Sequence, residues 1–362
     1  MTSVLDKGMA IDMVVVKQEN KSDVAVVKEK DKADWDRFVQ ESSGVIAWHS
    51  YDWSSILARH FGTEFFPLAV YDGGGICGIL PLYRVRTFRG GDELMSIPHF
   101  VAGGIVAEDP LVQQALLSRA IEIAKELNIS KITLKQYGLK LEGPLSTDAN
   151  YYNRELELSA DLNRVWQSIS EANRGKIEES RKFDLQMEYP SQDVSMFFRF
   201  LLRDQHAAGV PCVSKSWVRD LFNSGSYEIA LLRHKGELVA ATMAKKFRDT
   251  VSFPFSCLRD QSEQNYLFAY NLYWQLISKL AQEGIQIAHS GRIPLNDEVP
   301  AYRLGWGGTK HNYYYQYCGV AAGNTEFSTK RGRKREIVEA VWKKIPVSVA
   351  GILGPVVVKQ FP

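Results

Sequence analysis

The sequence has none of the short motifs that identify a common catalytic chemistry. It holds no Gly-x-Ser-x-Gly elbow, no Walker loop and no His-Glu-x-x-His helix, which excludes the familiar serine hydrolase, nucleotide hydrolase and zinc protease patterns. Cysteine is scarce: Cys77, Cys212, Cys257 and Cys318 are scattered, and no two form a CxxC pair. That spacing excludes a zinc ribbon or redox motif and suits free thiols in a reducing compartment. Charge of one sign is also lacking. The net charge of +2 gives no overall attraction to nucleic acid or lipid, so any such contact needs a local patch. No stretch approaches the roughly 20 apolar residues that span a bilayer. The opening run, MTSVLDKGMAIDMVVVKQENKSD, lacks the apolar core and cleavage site of a secretory leader. A soluble cytoplasmic protein is the expectation.

What is present is a globular chain with internal repetition. At 362 residues, with 45% hydrophobic and 24% charged side chains, it is long enough for two domains, each with its own core. Phe66 to Tyr71 reads as an apolar strand. The turn Asp72-Gly73-Gly74-Gly75 and a second strand, Ile76 to Tyr83, complete a hairpin, the glycines supplying the positive φ that a tight turn needs. About 160 residues later, Tyr227 to Arg233, His234-Lys235-Gly236 and Glu237 to Lys245 repeat the arrangement.

Residues Glu93 to Val106 and Thr250 to Leu258 then read as further strands. Each is followed by an amphipathic helix, Leu111 to Leu127 with Leu116, Ala120, Ile123 and Ala124 on one face, and Asn265 to Gln282 with Leu272, Leu276, Ile277 and Leu280. A short strand closes each unit, Ile129 to Leu134 and Ile285 to Ile287. The halves also open with helices: Ala33 to Gln40, with Asp34 as the cap, and Tyr51 to His60 in the first; Leu162 to Lys182 and Val194 to Ala208 in the second. The polar segment Leu141 to Asn153, with Gly143-Pro144, reads as the boundary. The expected domains are residues 1–150 and 151–325, with a tail over 326–362. That tail has a basic run, Lys330 to Arg335, a helix around Trp342 and an apolar end, Val347 to Val358.

This order of elements resembles the tandem GNAT-like acyltransferase fold of the FemAB family, an α/β fold of two similar domains. Trp48-His49, Trp53, Gly78 to Leu82, Pro98 and Gly103-Gly104 carry the resemblance in the first half. In the second half Arg174, Arg181-Lys182 and the hairpin Lys235 to Ala241 carry it. The most specific part is His289-Ser290-Gly291-Arg292 with Tyr302-Arg303 and Trp306-Gly307. It is similar to the Asp-Phe-Gly-Arg-Ser … Phe-Lys … Trp-Gly pattern of the exosortase-associated (PEP-CTERM) branch, with His289, Ser290, Ile293 and Arg303 standing where that pattern has Asp, Phe, Ser and Lys. The closing Trp342 to Pro362 also resembles that branch.

The resemblance implies transfer of an acyl or aminoacyl group from an activated thioester or ester to an amine of a cell-envelope or polysaccharide precursor. Acyl-CoA and aminoacyl-tRNA are the candidate donors, with no bound cofactor and no metal. Such chemistry needs positioning, a route for the amine proton and a donor near the developing oxyanion. Arg292, whose planar fork suits carboxylate or phosphate, and His289, with an ordinary pKa of about 6.5, are the candidate catalytic residues. Trp48, His49, Gly103, Gly104, Arg303, Trp306 and Lys310 are the candidate substrate-binding residues. Each has a structural alternative: Arg292 bracing its loop, His289 held as a satisfied strand-end residue, Trp48, His49 and Trp306 packing, the glycines forming a turn, Arg303 and Lys310 solvated. The basic face Arg174, Lys176, Arg181 and Lys182 suits tRNA or a phosphate-rich donor, or is simply a solvated helix surface. The tail either touches an anionic membrane, at the inner face, or packs onto the second domain. Two rival functions stand beside this one: an acyl-CoA-dependent amino-sugar N-acetyltransferase, and a non-catalytic acyltransferase-fold binding protein of an exopolysaccharide system.

Overall fold

In the computed structural model, residues 24–87, 91–295, 306–320 and 339–362 are described. Among them the strands join into one 14-stranded sheet, and its centre explains the rest. Ser146–Glu157 lies antiparallel to Thr309–Gly319 there, with Tyr152 opposite Asn312. Outward from Thr309–Gly319 come Lys131–Tyr137, Asp92–Ser96, Gly75–Arg86, Glu64–Asp72 and Val24–Val26. Outward from Ser146–Glu157 come Ile287–His289, Thr250–Leu258, Glu237–Phe247, Tyr227–His234 and Leu185–Ser191. The two sides repeat each other in mirrored order: a hairpin, a third antiparallel strand, then a parallel neighbour reached through a helix.

The two central strands are exchanged between the repeats. Ser146–Glu157 follows the first repeat in sequence but pairs with Ile287–His289 of the second. Thr309–Gly319, which follows the second repeat, pairs with Lys131–Tyr137 of the first. The halves also share a core, in which Trp48, Trp53 and Tyr83 meet Phe197, Trp217 and Ile229. Removing a large aromatic such as Trp53 from such a core costs about 3–5 kcal/mol.

Local chemistry sets the element ends. Pro110–Glu126 begins at Asp109, whose carboxylate accepts the Leu111 amide at 2.8 Å, with Pro110 in the first turn. Glu263–Gln282 begins at Ser262, whose hydroxyl accepts from the Asn265 amide. The second hairpin turns at Lys235 and Gly236, both at positive φ (50° and 81°), as a two-residue turn demands.

Several expectations change. The strand read over 93–106 stops at Ser96, because Ile97 and His99 take positive φ (38° and 63°); the chain then loops to Val106–Ala107. The helix read over 162–182 is two helices, Leu162–Ser168 and Glu171–Ser180, because Ser170 caps the second by accepting the Asn173 amide. Asp34 lies inside the helix Lys32–Glu41 rather than capping it. The polar segment read as holding the boundary, Leu141 to Asn153, enters the strand Ser146–Glu157, which passes through residue 150. The apolar end is a helix, Val347–Val358, with Ala350 and Gly354 buried and Gly354 against the Cys212 backbone. No described helix is long and apolar enough to cross a membrane.

Candidate active site

The parallel strand pair of each repeat is short, and what happens beyond it differs between the halves. In the second half, Thr250, Val251 and Ser252 pair with Ile287, Ala288 and His289. Past Ser252 the strands part and leave a gap in the sheet. In the first half only Leu94 and Met95 pair with Ile132 and Thr133, and the corresponding gap is filled by the chain itself. Ser96 Oγ accepts the Lys135 amide at 2.8 Å, the Gly103 amide donates to the Lys135 carbonyl at 3.0 Å, and Lys135 Nζ donates to the Phe100 carbonyl at 3.1 Å. Gly104 lies so close to the Gln136 carboxamide that a Cβ would overlap it. One gap is closed and one is open.

Two cavities meet at the open gap. A smaller one, about 160 Å³, is lined by Arg154, Leu156, Phe253, Ser256, Tyr273 and Trp306. A larger one, about 840 Å³, runs between the halves past Trp48, Phe100, Trp217, Glu155, Arg292 and Tyr313. Side chains alternate across a strand, and the central strand shows it: Arg154 and Leu156 line the smaller cavity while Glu155 lines the larger. The cavities thus lie on opposite faces of the sheet. His289, Phe253 and Pro254 border both.

A hydrogen-bonded network surrounds His289. Asn153, fully buried, accepts the Gly291 amide at 3.0 Å and the Ser290 hydroxyl at 3.3 Å through Oδ1. Gly291 N–H can only donate, so the carboxamide orientation is fixed and Nδ2 is the donor on the other side. It donates to the Tyr137 hydroxyl at 2.7 Å and to His289 Nδ1 at 2.8 Å. Burial of His289 lowers its pKa, with the Glu155 carboxylate working against that shift. A neutral ring that accepts at Nδ1 carries its proton on Nε2.

Glu155 is the carboxylate of this site. Tyr137 donates its hydroxyl to Glu155 Oε1. His289 Nδ1 lies 3.7 Å from the same oxygen, and His311 Nε2 lies 3.3 Å from Oε2. Burial, reinforced by the bond to Glu155, pushes the Tyr137 hydroxyl above its usual range, so Tyr137 stays a donor.

Arg292 projects from the turn after Ile287–His289 and remains exposed in the larger cavity. Its guanidinium lies 4.7 Å from the Tyr151 ring centre and donates to Tyr315 Oη at 3.2 Å, while Tyr315 donates on to the Val101 carbonyl. Lys135 sits nearby, and burial together with Arg292 brings its pKa down to about 7. Lys245, between the rings of Trp53 and Tyr227, also lines the larger cavity; burial lowers it to about 8.

The residues singled out in the sequence separate accordingly. His289, Arg292, Trp48 and Trp306 border the two cavities. Trp48 stacks on Phe100 with ring centres 4.4 Å apart, and Trp306 packs near Tyr270 and Tyr273. His49 is turned into the core, its Nε2 3.2 Å from the Gly104 carbonyl, and Gly103 and Gly104 face the protein's own residues. Lys310 stands over the Tyr152 ring at 4.7 Å, outside both linings. Arg303 and the basic run 330–335 lie outside the described residues. Arg174 donates to the carbonyls of Gln167 and Ile169, closing the preceding helix. Lys176 pairs with Glu179 at 3.1 Å, Arg181 lies over Trp166 and Lys182 is exposed.

Sequence reasoning missed Asn153, Glu155 and Tyr137. No apolar–polar alternation marks the strand of Asn153 and Glu155: the set Tyr151, Asn153 and Glu155 and the set Tyr152, Arg154 and Leu156 both carry polar side chains.

No protein-family model and no curated protein matches the chain. Among solved structures it is similar to FemX, at 10% identity and a TM-score of 0.65, over 81% of this chain and 96% of that one. It is also similar to L-PGS from Bacillus licheniformis, at 13% identity and a TM-score of 0.51, over 93% and 99%. A third likeness is to a tandem GNAT protein from the clavulanic acid biosynthesis pathway, at 11% identity and a TM-score of 0.50, over 83% and 98%. At such identities the likeness shows the fold. The chain has a tandem GNAT-like α/β fold, similar to that of FemX and the tandem GNAT protein.

Proposed function

We propose that this chain transfers an acyl or aminoacyl group from an activated donor to an amine of a cell-envelope or polysaccharide precursor. The observation that carries the reading is the meeting of two cavities, on opposite faces of the sheet, at His289. Group transfer needs two substrates to reach one point from separate sides, in near-attack geometry. The smaller cavity suits the acyl end of a donor, whose remainder lies outside it. The larger cavity is of the size that holds a whole small ligand, and it takes the acceptor.

In this scheme the acceptor nitrogen attacks the donor carbonyl carbon. A C–N bond forms, the C–S or C–O bond of the donor breaks, and the leaving thiolate or alkoxide departs through the smaller cavity. The Glu155 carboxylate takes the proton that the amine loses, with Tyr137 and His311 holding it in place. His289 is a hydrogen-bond donor: its Nε2–H faces the charge that develops on the carbonyl oxygen. Arg292, exposed in the larger cavity, anchors an anionic group of the acceptor. The likeness to FemX and L-PGS supports aminoacyl transfer, and the likeness to a tandem GNAT protein supports acyl transfer from a thioester.

Incubating the chain with acyl-CoAs or charged tRNAs and amine-bearing envelope precursors, with mass spectrometry of the acceptor, tests the reading. A donor-dependent mass gain that Glu155→Gln lowers at least about a hundredfold, the range for loss of a general base, is expected. Precursor binding with no product from any donor would contradict it and favour the non-catalytic alternative.

A further inference from the structure

We infer that the C-terminal helix Val347–Val358 is a docking face for an anionic lipid bilayer. One side of this helix is used inside the protein. Ala350 is 1% exposed, Gly354 approaches the Cys212 backbone, and Gly351 lies against Leu202. The opposite side carries Val349, Ile352, Leu353 and Val356, at i, i+3, i+4 and i+7, which puts them on one face. They are 39%, 74%, 44% and 61% exposed. Phe361, just beyond the helix, is 67% exposed.

An apolar face this continuous on a protein surface calls for a partner, and the charges around it say which. From residue 340 to 362 the sequence has no aspartate or glutamate and three lysines, Lys343, Lys344 and Lys359. All three are exposed, and they stand at the two ends of the charge-free stretch 345–358. An apolar face flanked by lysines suits the interface of a bilayer with anionic headgroups: the side chains enter the acyl boundary and the ammonium groups meet phosphate. A second copy of this chain would bring the same lysines together and meet repulsion. Phe361, exposed just beyond this face, also helps line the large cavity. Docking through this helix sets the cavity mouth against the lipid surface.

The inference stands apart from the catalytic reading, since lipid binding is read without any transfer. The test is co-sedimentation of the full chain with vesicles of phosphatidylcholine alone or with 30%, as an example of about that content, phosphatidylglycerol. Binding to the anionic vesicles, weakened by salt and lowered at least about tenfold by Ile352→Glu with Val356→Glu, is expected. Both sites are exposed, so the variant should keep the parent melting temperature, and Lys343→Ala with Lys359→Ala serves as a second variant that leaves the apolar face intact. Equal sedimentation of parent and variants, no sedimentation of the parent, or a dimer in gel filtration that the glutamate variant dissolves would each overturn the inference.

Discussion

The Asn153 carboxamide nitrogen lies 2.8 Å from His289 Nδ1, and the Gly291 amide bound to Asn153 Oδ1 fixes which end of the carboxamide faces the ring. This one contact sets the tautomer of the histidine at the junction of the two cavities. Asn153→Asp replaces the donor with an acceptor. It should move the ring proton to Nδ1, visible in nitrogen-15 NMR shifts of His289, and lower kcat by about 10²–10³, the loss typical of one oxyanion donor. A variant with Nε2 still protonated and kcat reduced would assign Asn153 to something other than tautomer control.

Gly104 has its role in the closed gap rather than at a ligand. A Cβ there meets the Gln136 carboxamide, and overpacking of this kind costs about 1–3 kcal/mol. Gly104→Ala should lower the denaturation midpoint while leaving KM for both substrates unchanged at temperatures where the fold holds. A shifted KM without loss of stability would return Gly104 to the substrate-binding set.

His49 predicts a pH dependence of stability. Burial lowers its pKa to about 4, against the opposite pull of the Gly104 and Ile46 carbonyls, which accept from the protonated ring. Its unfolded value is about 6.5, so between these values the unfolded chain binds more protons, and stability falls as pH drops through that window. Melting curves from pH 7 to 4.5 should decline less steeply for His49→Gln than for the parent. Parallel declines would show that His49 carries none of the dependence.

Arg292→Lys keeps the charge but loses the planar fork and the stack on Tyr151. It should raise KM for an anionic acceptor at least about tenfold, with kcat reduced less, as expected for loss of uniform binding. An unchanged KM would leave Arg292 as a brace for Tyr315.

Much of the fold was legible in the sequence because it repeats. The hairpin around Gly74 and the hairpin around Gly236 announce each other, and the helices Pro110–Glu126 and Glu263–Gln282 show their apolar faces plainly. The central strand was not legible as such, because Ser146–Glu157 is rich in polar side chains, of which Arg154 and Glu155 face cavities instead of a dry core. Its pairing partner, Ile287–His289, lies about 130 residues away, a contact no local pattern reports. For the same reason His289 and Arg292 could be picked out from one motif, while Asn153 and Glu155, which give His289 its surroundings, could not. His49 illustrates the converse: it sits in a conspicuous motif, yet its ring is spent on the Ile46 and Gly104 backbone.

The most direct test of the account separates the two cavities. Ser256 lines the smaller one only, so Ser256→Trp fills it while leaving the larger one open. With the melting temperature checked, isothermal titration of the donor that supports transfer and of its acceptor should show donor binding weakened at least about a hundredfold and acceptor binding unchanged, as a ligand that loses its pocket requires. Donor binding unaffected by the tryptophan, in a variant that still folds, would contradict the placement of the donor and with it the two-sided site.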